Sequence, residues 1–286
     1  MLQVARRGVL ALGDSVELVR KFILSKLGES GAGVDRDGNE DLYYTIFALA
    51  CLNALDEPIP KDALRVFLRR FANGETLDFV HLGALARCWS VVGSVPEEVA
   101  EGILRRIETF RSMDGAYESE VSAAEGNAYG CFVALGAYQD LGRQLPAPLR
   151  VVQALKSLET PDGAWGNVRG LRTGSTNATA AAVTLLHQLD MPVSPQVGRW
   201  LLAQQHWQGG FLAMPNAPIP DLLSTATALH ALACLDMPLP RDCKDATLDF
   251  LDTLWSADGG FHGHWVDDFL DVEYTFYGLL ALGHLL

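Results

Sequence analysis

A glycine turn recurs along the chain at nearly even spacing, and it limits the fold more than any other feature. The turns read MDGAY, PDGAW, WQGGF and ADGGF, and their glycines Gly115, Gly163, Gly209 and Gly259 lie 46 to 50 residues apart. An apolar helical pattern precedes each turn, and a loop and a second helical pattern follow it. Each unit is therefore a helix–loop–helix hairpin that buries its apolar faces only by stacking on its neighbours.

The second helix of the unit begins with a shared pattern, D-x-x-x-T-x-x-[AG]-L. The pattern starts at Asp41, Asp221 and Asp271, and a variant with serine in place of aspartate starts at Ser175. Asp and Ser are favoured at helix N-caps because a side-chain oxygen accepts hydrogen bonds from free backbone N–H groups. The pattern predicts inner helices over residues 42–55, 176–189, 222–235 and 272–285.

Two weaker copies extend the repeat toward the start of the chain. One is GESGAGVDRDGNEDLYYT, and the other is the segment DALRVFLRRFANG followed by HLGALARCWSVVG. The resulting six hairpins predict a single all-α domain over residues 1–286, an α/α toroid in which outer and inner helices alternate and close into a ring. No run of period-2 alternation with hairpin turns indicates a β-sheet.

Composition excludes several classes of function. The formal net charge of −13 disfavours binding to nucleic acid or to an anionic membrane face. No stretch approaches ~18 uninterrupted apolar residues, so no membrane span is predicted, and the first residues do not have the form of a signal peptide. The sequence therefore predicts a cytoplasmic protein. The five cysteines contain no CxxC pair and indicate neither a disulfide framework nor a cysteine zinc site.

On these residues the chain resembles the β subunits of the protein prenyltransferases and, more distantly, the class II terpene cyclases. The resemblance covers nearly the whole chain and rests on the glycine turns, on DLYYTIFAL and DVEYTFYGLLAL, and on the turn QHWQGGF. It implies a six-hairpin barrel whose central apolar cavity holds an isoprenoid diphosphate. It also makes an α-type subunit a candidate partner.

The residues that hold zinc in the prenyltransferases are mostly replaced. The resemblance places the first ligand at Asp221, but the cysteine expected two residues later is Leu223, and the histidine of the last repeat is Tyr274. Zinc requires soft or imidazole donors in a near-tetrahedral set, and one aspartate is not such a set. The resemblance therefore does not extend to the family's zinc site.

The substrate side of the cavity is altered as well. Basic residues that face the diphosphate in the family are replaced by Pro215 and Pro218, so Arg169 and Arg172 are either substitutes or solvent-facing loop charges. Nine aromatic residues either line the cavity or pack the helical core: Tyr43, Tyr44, Tyr129, Trp165, Trp207, Phe211, Phe261, Tyr274 and Tyr277. We predict substrate contacts for Arg169 and Arg172 and for five of the aromatic residues, Tyr44, Tyr129, Trp165, Phe211 and Tyr274.

Two acidic patterns overlap near the end of the chain. The segment DDFLD is a DDxxD pattern, with which other terpene enzymes bind magnesium and diphosphate, so Asp267, Asp268 and Asp271 are candidate Mg²⁺ ligands. A chance match is the alternative in a chain with 35 acidic residues. The following DVEYT resembles the D-x-D-D-T acid of the class II cyclases, with Glu273 as the candidate proton donor. Those cyclases place their site between two barrels, and this chain has one.

Two functional classes follow from the sequence. The first is a prenyltransferase-like protein that binds an isoprenoid diphosphate and transfers or rearranges the prenyl chain, with Asp221, Asp271 and Glu273 near one mouth of the cavity as candidate catalytic residues. The second is a non-catalytic barrel that binds a lipid or a partner protein. The loss of both the zinc ligands and the basic residues favours this second class. In both classes Asp221 and Asp271 are also helix caps.

Overall fold

Helices make up the architecture of this computed structural model, which describes all 286 residues. After α1 (Leu2–Ala11) and a 3₁₀ turn at Gly13–Ser15, outer and inner helices alternate. The outer helices are α2 (Val16–Ser25), α4 (Lys61–Arg69), α6 (Glu97–Glu108), α8 (Pro148–Ser157), α10 (Pro195–Leu202) and α12 (Arg241–Leu254). The inner helices are α3 (Leu42–Ala54), α5 (Phe79–Val92), α7 (Ala128–Asp140), α9 (Thr176–Gln188), α11 (Leu222–Cys234) and α13 (Val272–Leu285).

The inner helices form a closed ring. Each packs against the inner helix of the next repeat, and α13 packs against α3, so the last repeat meets the first. This confirms the all-α toroid predicted from the sequence. The four inner helices predicted from the shared pattern are confirmed to within one residue at each end.

A side chain caps the start of every inner helix. Its oxygen accepts a hydrogen bond from the backbone N–H three residues later. The distance from the backbone nitrogen to the aspartate Oδ1 is 2.9 Å both for Tyr44 and Asp41 and for Tyr274 and Asp271. Each such cap satisfies an N–H group that the helix leaves free and contributes about 1 kcal/mol. The caps are Asp41, Asp78, Asn127, Ser175, Asp221 and Asp271.

A threonine four residues after the cap fastens the preceding turn to the inner helix in four repeats. The Thr225 hydroxyl donates to the Asp221 carbonyl at 2.7 Å, and its oxygen accepts the Phe211 N–H at 2.9 Å. Three other threonines accept from the matching turn residue: Thr45, Thr179 and Thr275. The D-x-x-x-T pattern therefore joins a helix cap to a fastener of the turn.

Turn glycines hold neighbouring repeats together because a side chain would not fit there. A Cβ on Gly209 would lie 1.8 Å from the carbonyl oxygen of Ala246 in α12, which belongs to the next repeat. A Cβ on Gly259 would lie 2.2 Å from the carbonyl oxygen of Leu18 in α2. The last turn therefore packs on the first outer helix, and this contact closes the outer layer of the ring.

The first helix, α1, covers the end of the ring at which the inner helices finish. It packs against α13 and α3, so closely that a Cβ on Gly283 would lie 1.8 Å from the Val4 carbonyl oxygen. The Arg6 guanidinium donates to the Asn53 side chain near the end of α3 at 2.8 Å. No helix in the structure combines the length and apolar character that crossing a membrane requires.

We expect Gly209→Ala to destabilise the protein by about 1–3 kcal/mol more than Gly38→Ala, because the new methyl group overlaps the Ala246 carbonyl. Both glycines have a φ of 86°, but a Cβ on Gly38 meets no atom within 4 Å. The control therefore carries only the cost of a left-handed backbone at a residue with a Cβ. Urea unfolding of the two variants measures the difference, and equal losses would show that the contact with Ala246 does not limit packing.

Candidate functional site

The second residue of each inner helix lies at one end of the ring and keeps accessible surface. The first residue of every inner helix is buried, whereas the second is partly or fully exposed in all six. Because the caps start every inner helix in the same way, these second residues lie at one level. We call them the mouth layer: Tyr43, Val80, Tyr129, Asn177, Leu223 and Glu273.

Glu273 in the mouth layer converges with tyrosines from three inner helices. The Tyr43 hydroxyl on α3 donates to Glu273 Oε1 on α13 at 2.6 Å. Burial raises the pKa values of Tyr129 and Tyr277, and the nearby charge of Glu273 adds to both shifts. Tyr129 comes from α7, on the side of the ring opposite α13, and remains 46% exposed. Tyrosines from three inner helices therefore lie near Glu273, and one of them, Tyr129, keeps substantial accessible surface.

The environment of Glu273 favours its protonated form. Burial raises the pKa of this carboxyl above its ordinary value of 4.5, the hydrogen bond from Tyr43 opposes the shift, and the charge of Asp271 adds to it. A carboxyl group with a raised pKa keeps its proton closer to neutral pH and is suited to general acid catalysis. Of the three candidate catalytic residues, Glu273 is the one that the structure places in the mouth layer.

Aromatic rings extend the site below Glu273. The rings of Tyr43 and Phe47 are 5.1 Å apart, and those of Phe47 and Tyr277 are 5.6 Å apart, measured between centroids. Phe47 and Tyr277 belong to a second layer, six residues after each cap. Its members are Phe47, Ala84, Val133, Ala181, Thr227 and Tyr277. The second layer is thus mainly apolar, in contrast to the polar mouth.

A polar pair from α9 and α11 lies on another wall of the ring. Thr227 Oγ1 is 3.0 Å from the amide oxygen of Asn177, and it is 2.8 Å from the Leu223 carbonyl. The amide of Asn177 makes no other hydrogen bond with the protein, and its side chain is not fully buried. Asn177 therefore has hydrogen-bonding capacity left over at the mouth layer.

Two of the three aspartates predicted to bind Mg²⁺ pair with a guanidinium. Arg36 Nη2 lies 2.8 Å from Asp271 Oδ2 and 3.6 Å from Asp267 Oδ2, while Asp268 is exposed. No group of three or more His, Cys, Asp or Glu residues has an arrangement that would hold a metal ion. The DDFLD segment therefore binds an arginine of the first repeat and ties the first repeat to the last, and its assignment to Mg²⁺ stays a prediction.

A second cation at the mouth end is also held by carboxylates. His81 Nε2 lies 3.1 Å from Asp41 Oδ2, and His81 Nδ1 lies 2.9 Å from Asp78 Oδ2. The hydrogen bond to Asp41 raises the pKa of His81 to about 9. The imidazole is therefore charged at neutral pH, and it links the caps of α3 and α5.

The predicted aromatic contacts fall into three groups. Tyr129 lies in the mouth layer. Tyr44 and Tyr274 each lie one residue further along their helices, and the Arg36 guanidinium is 5.9 Å from the Tyr274 ring centroid. Trp165 and Phe211 are 4% and 0% exposed within their turns, so they pack the repeats and present no surface to a ligand.

The predicted polar contacts lie outside the mouth layer. Arg169 on its turn pairs with Asp114 at 2.6 Å and with Glu125 at 3.2 Å. Arg172 is exposed on the same loop. Asp221 caps α11 and accepts a hydrogen bond from the Ser224 hydroxyl at 2.8 Å, and burial raises the pKa of its carboxyl.

The opposite end of the ring holds a second polar cluster. His230 Nδ1 on α11 is 3.1 Å from His284 Nε2 on α13. Burial lowers the pKa values of His230 to about 3 and of His284 to about 4, so both rings are neutral at ordinary pH.

A groove of about 520 Å³ also lies on the outer face of the ring. Its lining comes from α2 and the last turn and includes no residue of the mouth layer: Lys21, Phe22, Ser25, Lys26, Asp258, Asp268, Phe269 and Leu270. The groove is therefore separate from the site that contains Glu273.

The sequence profile of the prenyltransferase alpha-alpha toroid domain matches residues 12–89, 94–216 and 178–285. The chain belongs to this family. The match confirms the resemblance found in the sequence, and the repeated segments of the match cover nearly all of the toroid. No curated protein matches the chain.

Several solved structures share the toroid at low sequence identity. The type II terpene cyclase MstE from Scytonema, in complex with the substrate geranylgeranyl dihydroxybenzoate, is 13% identical, with a TM-score of 0.63 and 97% of each chain covered. Candida albicans protein geranylgeranyltransferase-I, complexed with GGPP, is 13% identical, with a TM-score of 0.66 and coverage of 94% of this chain and 90% of that chain. A protein from Actinoplanes is 16% identical, with a TM-score of 0.61 and coverage of 96% and 98%.

The solved chain of MstE is matched over 97% of its length by the single ring of this protein, so MstE likewise has one ring of this kind.

We expect Glu273→Gln to stabilise the protein at neutral pH and to have little effect in acid. Because the pKa of Glu273 is raised on folding, the folded protein binds this proton more tightly than the unfolded chain does. The stability of the wild type therefore falls, relative to the variant, as the pH rises above the ordinary value of 4.5, and the difference becomes constant above the folded pKa. Urea unfolding across this pH range measures the effect. A variant that is less stable than the wild type at neutral pH would show that the carboxylate form is the one stabilised by folding.

Proposed function

We propose that the toroid binds an isoprenoid chain in its central space and rearranges it through a carbocation that forms when Glu273 protonates a double bond. The position of Glu273 carries this proposal. Its carboxyl has a raised pKa, accepts a hydrogen bond from Tyr43 at 2.6 Å, and lies in the mouth layer near two further tyrosines, Tyr129 and Tyr277. An alkene has no lone pair to accept a proton, so its protonation needs an undissociated acid held next to it and away from water. A protonated carboxyl beside apolar side chains meets this requirement.

The proposed step is balanced within the substrate and the carboxyl group. Glu273 gives its proton to one carbon of a trisubstituted double bond, the π electrons form the new C–H bond, and the other carbon becomes a tertiary cation. A second double bond of the chain can then attack the cation and close a ring. Loss of a proton from a neighbouring carbon to the Glu273 carboxylate ends the reaction, so the product is an isomer of the substrate.

The walls of the ring suit both the chain and the cation. Tyr43 lies beside the acid, Phe47 and Tyr277 lie in the next layer, and aromatic faces attract cations by about 0.5–2 kcal/mol each. The second layer supplies further apolar surface through residues such as Val133 and Ala181. Apolar space of this kind binds hydrocarbon in preference to water. The isoprenoid ligands named for MstE and for the Candida geranylgeranyltransferase support the same class of ligand.

Prenyl transfer of the zinc-dependent type has less support from the residues. The positions that correspond to the cysteine and histidine ligands carry Leu223 and Tyr274, and neither side chain offers the soft or imidazole donor that zinc requires. The residues therefore favour isomerisation or cyclisation of a single substrate over transfer of its prenyl chain to an acceptor.

We expect Glu273→Gln to lower the rate of product formation by a factor of about 10²–10⁴, the usual contribution of a general acid. The wild type, incubated with C15 and C20 prenyl alcohols, prenyl diphosphates and prenyl hydroquinones, should convert at least one to an isomer of equal mass. In D₂O the product should carry deuterium at the protonated carbon. Gas chromatography with mass spectrometry measures both results.

The exposed variant Glu120→Gln is the control, because Glu120 is a turn carboxylate outside the mouth layer. It should retain the wild-type rate. Unchanged turnover in Glu273→Gln would remove this residue as the acid. Binding of isoprenoids by the wild type without conversion of any of them would contradict the catalytic role and favour a non-catalytic isoprenoid-binding barrel.

A further inference from the structure

We infer that the isoprenoid bound by this ring carries an uncharged head group and that the side-chain amide of Asn177 binds that head group at the mouth layer. This inference rests on the function proposed above for the central space. It narrows the substrate class from prenyl compounds in general to prenyl alcohols or carbonyl compounds, and it excludes prenyl diphosphates.

The inner helices offer no cation to a diphosphate at the mouth. Arg87 is the only Lys or Arg on any of the six inner helices. It lies in the second half of α5, nine residues beyond the cap, and its Nε is bonded to Asp140 Oδ2 at 2.6 Å. A diphosphate at the mouth layer would therefore meet no free basic side chain from the walls around it.

Two of the cations near the mouth, Arg36 and His81, are already neutralised, and Arg172 lies exposed on the loop before α9, outside the mouth layer. Arg36 is held by Asp271 and Asp267, with its closest contact at 2.8 Å. The charged imidazole of His81 is held between Asp41 and Asp78. A diphosphate would have to compete with carboxylates that cap the inner helices, and displacing those carboxylates would release the helix starts that form the site.

The charge that remains at the mouth is negative. Four of the six caps are aspartates, which outnumber the two cations that they hold, Arg36 and His81. Charges of the same sign at short range repel strongly where burial lowers the effective dielectric constant.

Asn177 supplies what an uncharged head group needs. One atom of its amide lies 3.0 Å from Thr227 Oγ1, and this contact fixes the side chain against α11. The other amide atom has no partner in the protein and belongs to a residue with accessible surface at the mouth layer. A hydroxyl or carbonyl group can pair with it without bringing a charge into the site.

Direct binding measurements test the inference in the Glu273→Gln background, in which chemistry is blocked. Isothermal titration would compare geranylgeraniol, geranylgeranyl diphosphate and a C20 isoprenoid hydrocarbon without a head group. We expect the alcohol to bind at least about tenfold more tightly than the diphosphate. Adding Asn177→Leu should weaken binding of the alcohol by about tenfold, as expected for one lost hydrogen bond, and leave binding of the hydrocarbon unchanged.

The matched control is Gln188→Leu, which removes an exposed amide at the opposite end of the same helix. It should change binding of neither ligand. Binding of the diphosphate as tight as that of the alcohol would overturn the assignment of the head group. An equal loss for alcohol and hydrocarbon in Asn177→Leu, or no loss for either, would overturn the role of Asn177. These outcomes do not depend on turnover, so they are distinct from failure of Glu273 as an acid, whereas absence of all isoprenoid binding would remove both proposals.

Discussion

Each cap side chain accepts a hydrogen bond from the backbone N–H three residues later, and this hydrogen bond determines which residues of the inner helices reach the mouth layer. It fixes the first turn of every inner helix, so the residue after the cap is buried and the next one lies at the mouth. The Asp221 cap and the Asp271 cap therefore act on the site through the residues that follow them, Leu223 and Glu273. The hydrogen bond that stabilises each helix start therefore also determines which six residues form the mouth layer.

This constraint separates the parts of the repeat that maintain the fold from the part that varies with function. The caps, the fastening threonines and the turn glycines recur because each makes a contact between turn and helix or between neighbouring repeats. The mouth layer follows no such repeated pattern, and its residue types differ from repeat to repeat. It carries aliphatic residues in Val80 and Leu223, and it carries the groups of the proposed chemistry in Tyr43, Asn177 and Glu273.

The sequence predicted those features that depend on local pattern. The spacing of the glycine turns predicted the toroid, and the cap pattern predicted four inner helices and placed Glu273 at the start of the last one. Features that depend on distant contacts were beyond it. The bond from Arg36 to Asp271 joins residues 235 positions apart, and no local pattern predicts that an arginine pairs with this aspartate. Counting two residues from each cap would have identified Asn177. The sequence could not tell that Trp165 and Phe211 are buried whereas Tyr129 is accessible to a ligand, because burial depends on the folded ring.

A crystal structure of the protein with geranylgeraniol tests the account most directly, because it shows where the chain lies and which atom its head group meets. The account predicts continuous density for the chain between the inner helices, with the hydroxyl beside the Asn177 amide and a double bond against the Glu273 carboxyl. Density for the chain in the outer groove beside Phe22 and Phe269, with the centre of the ring holding only water, would contradict it.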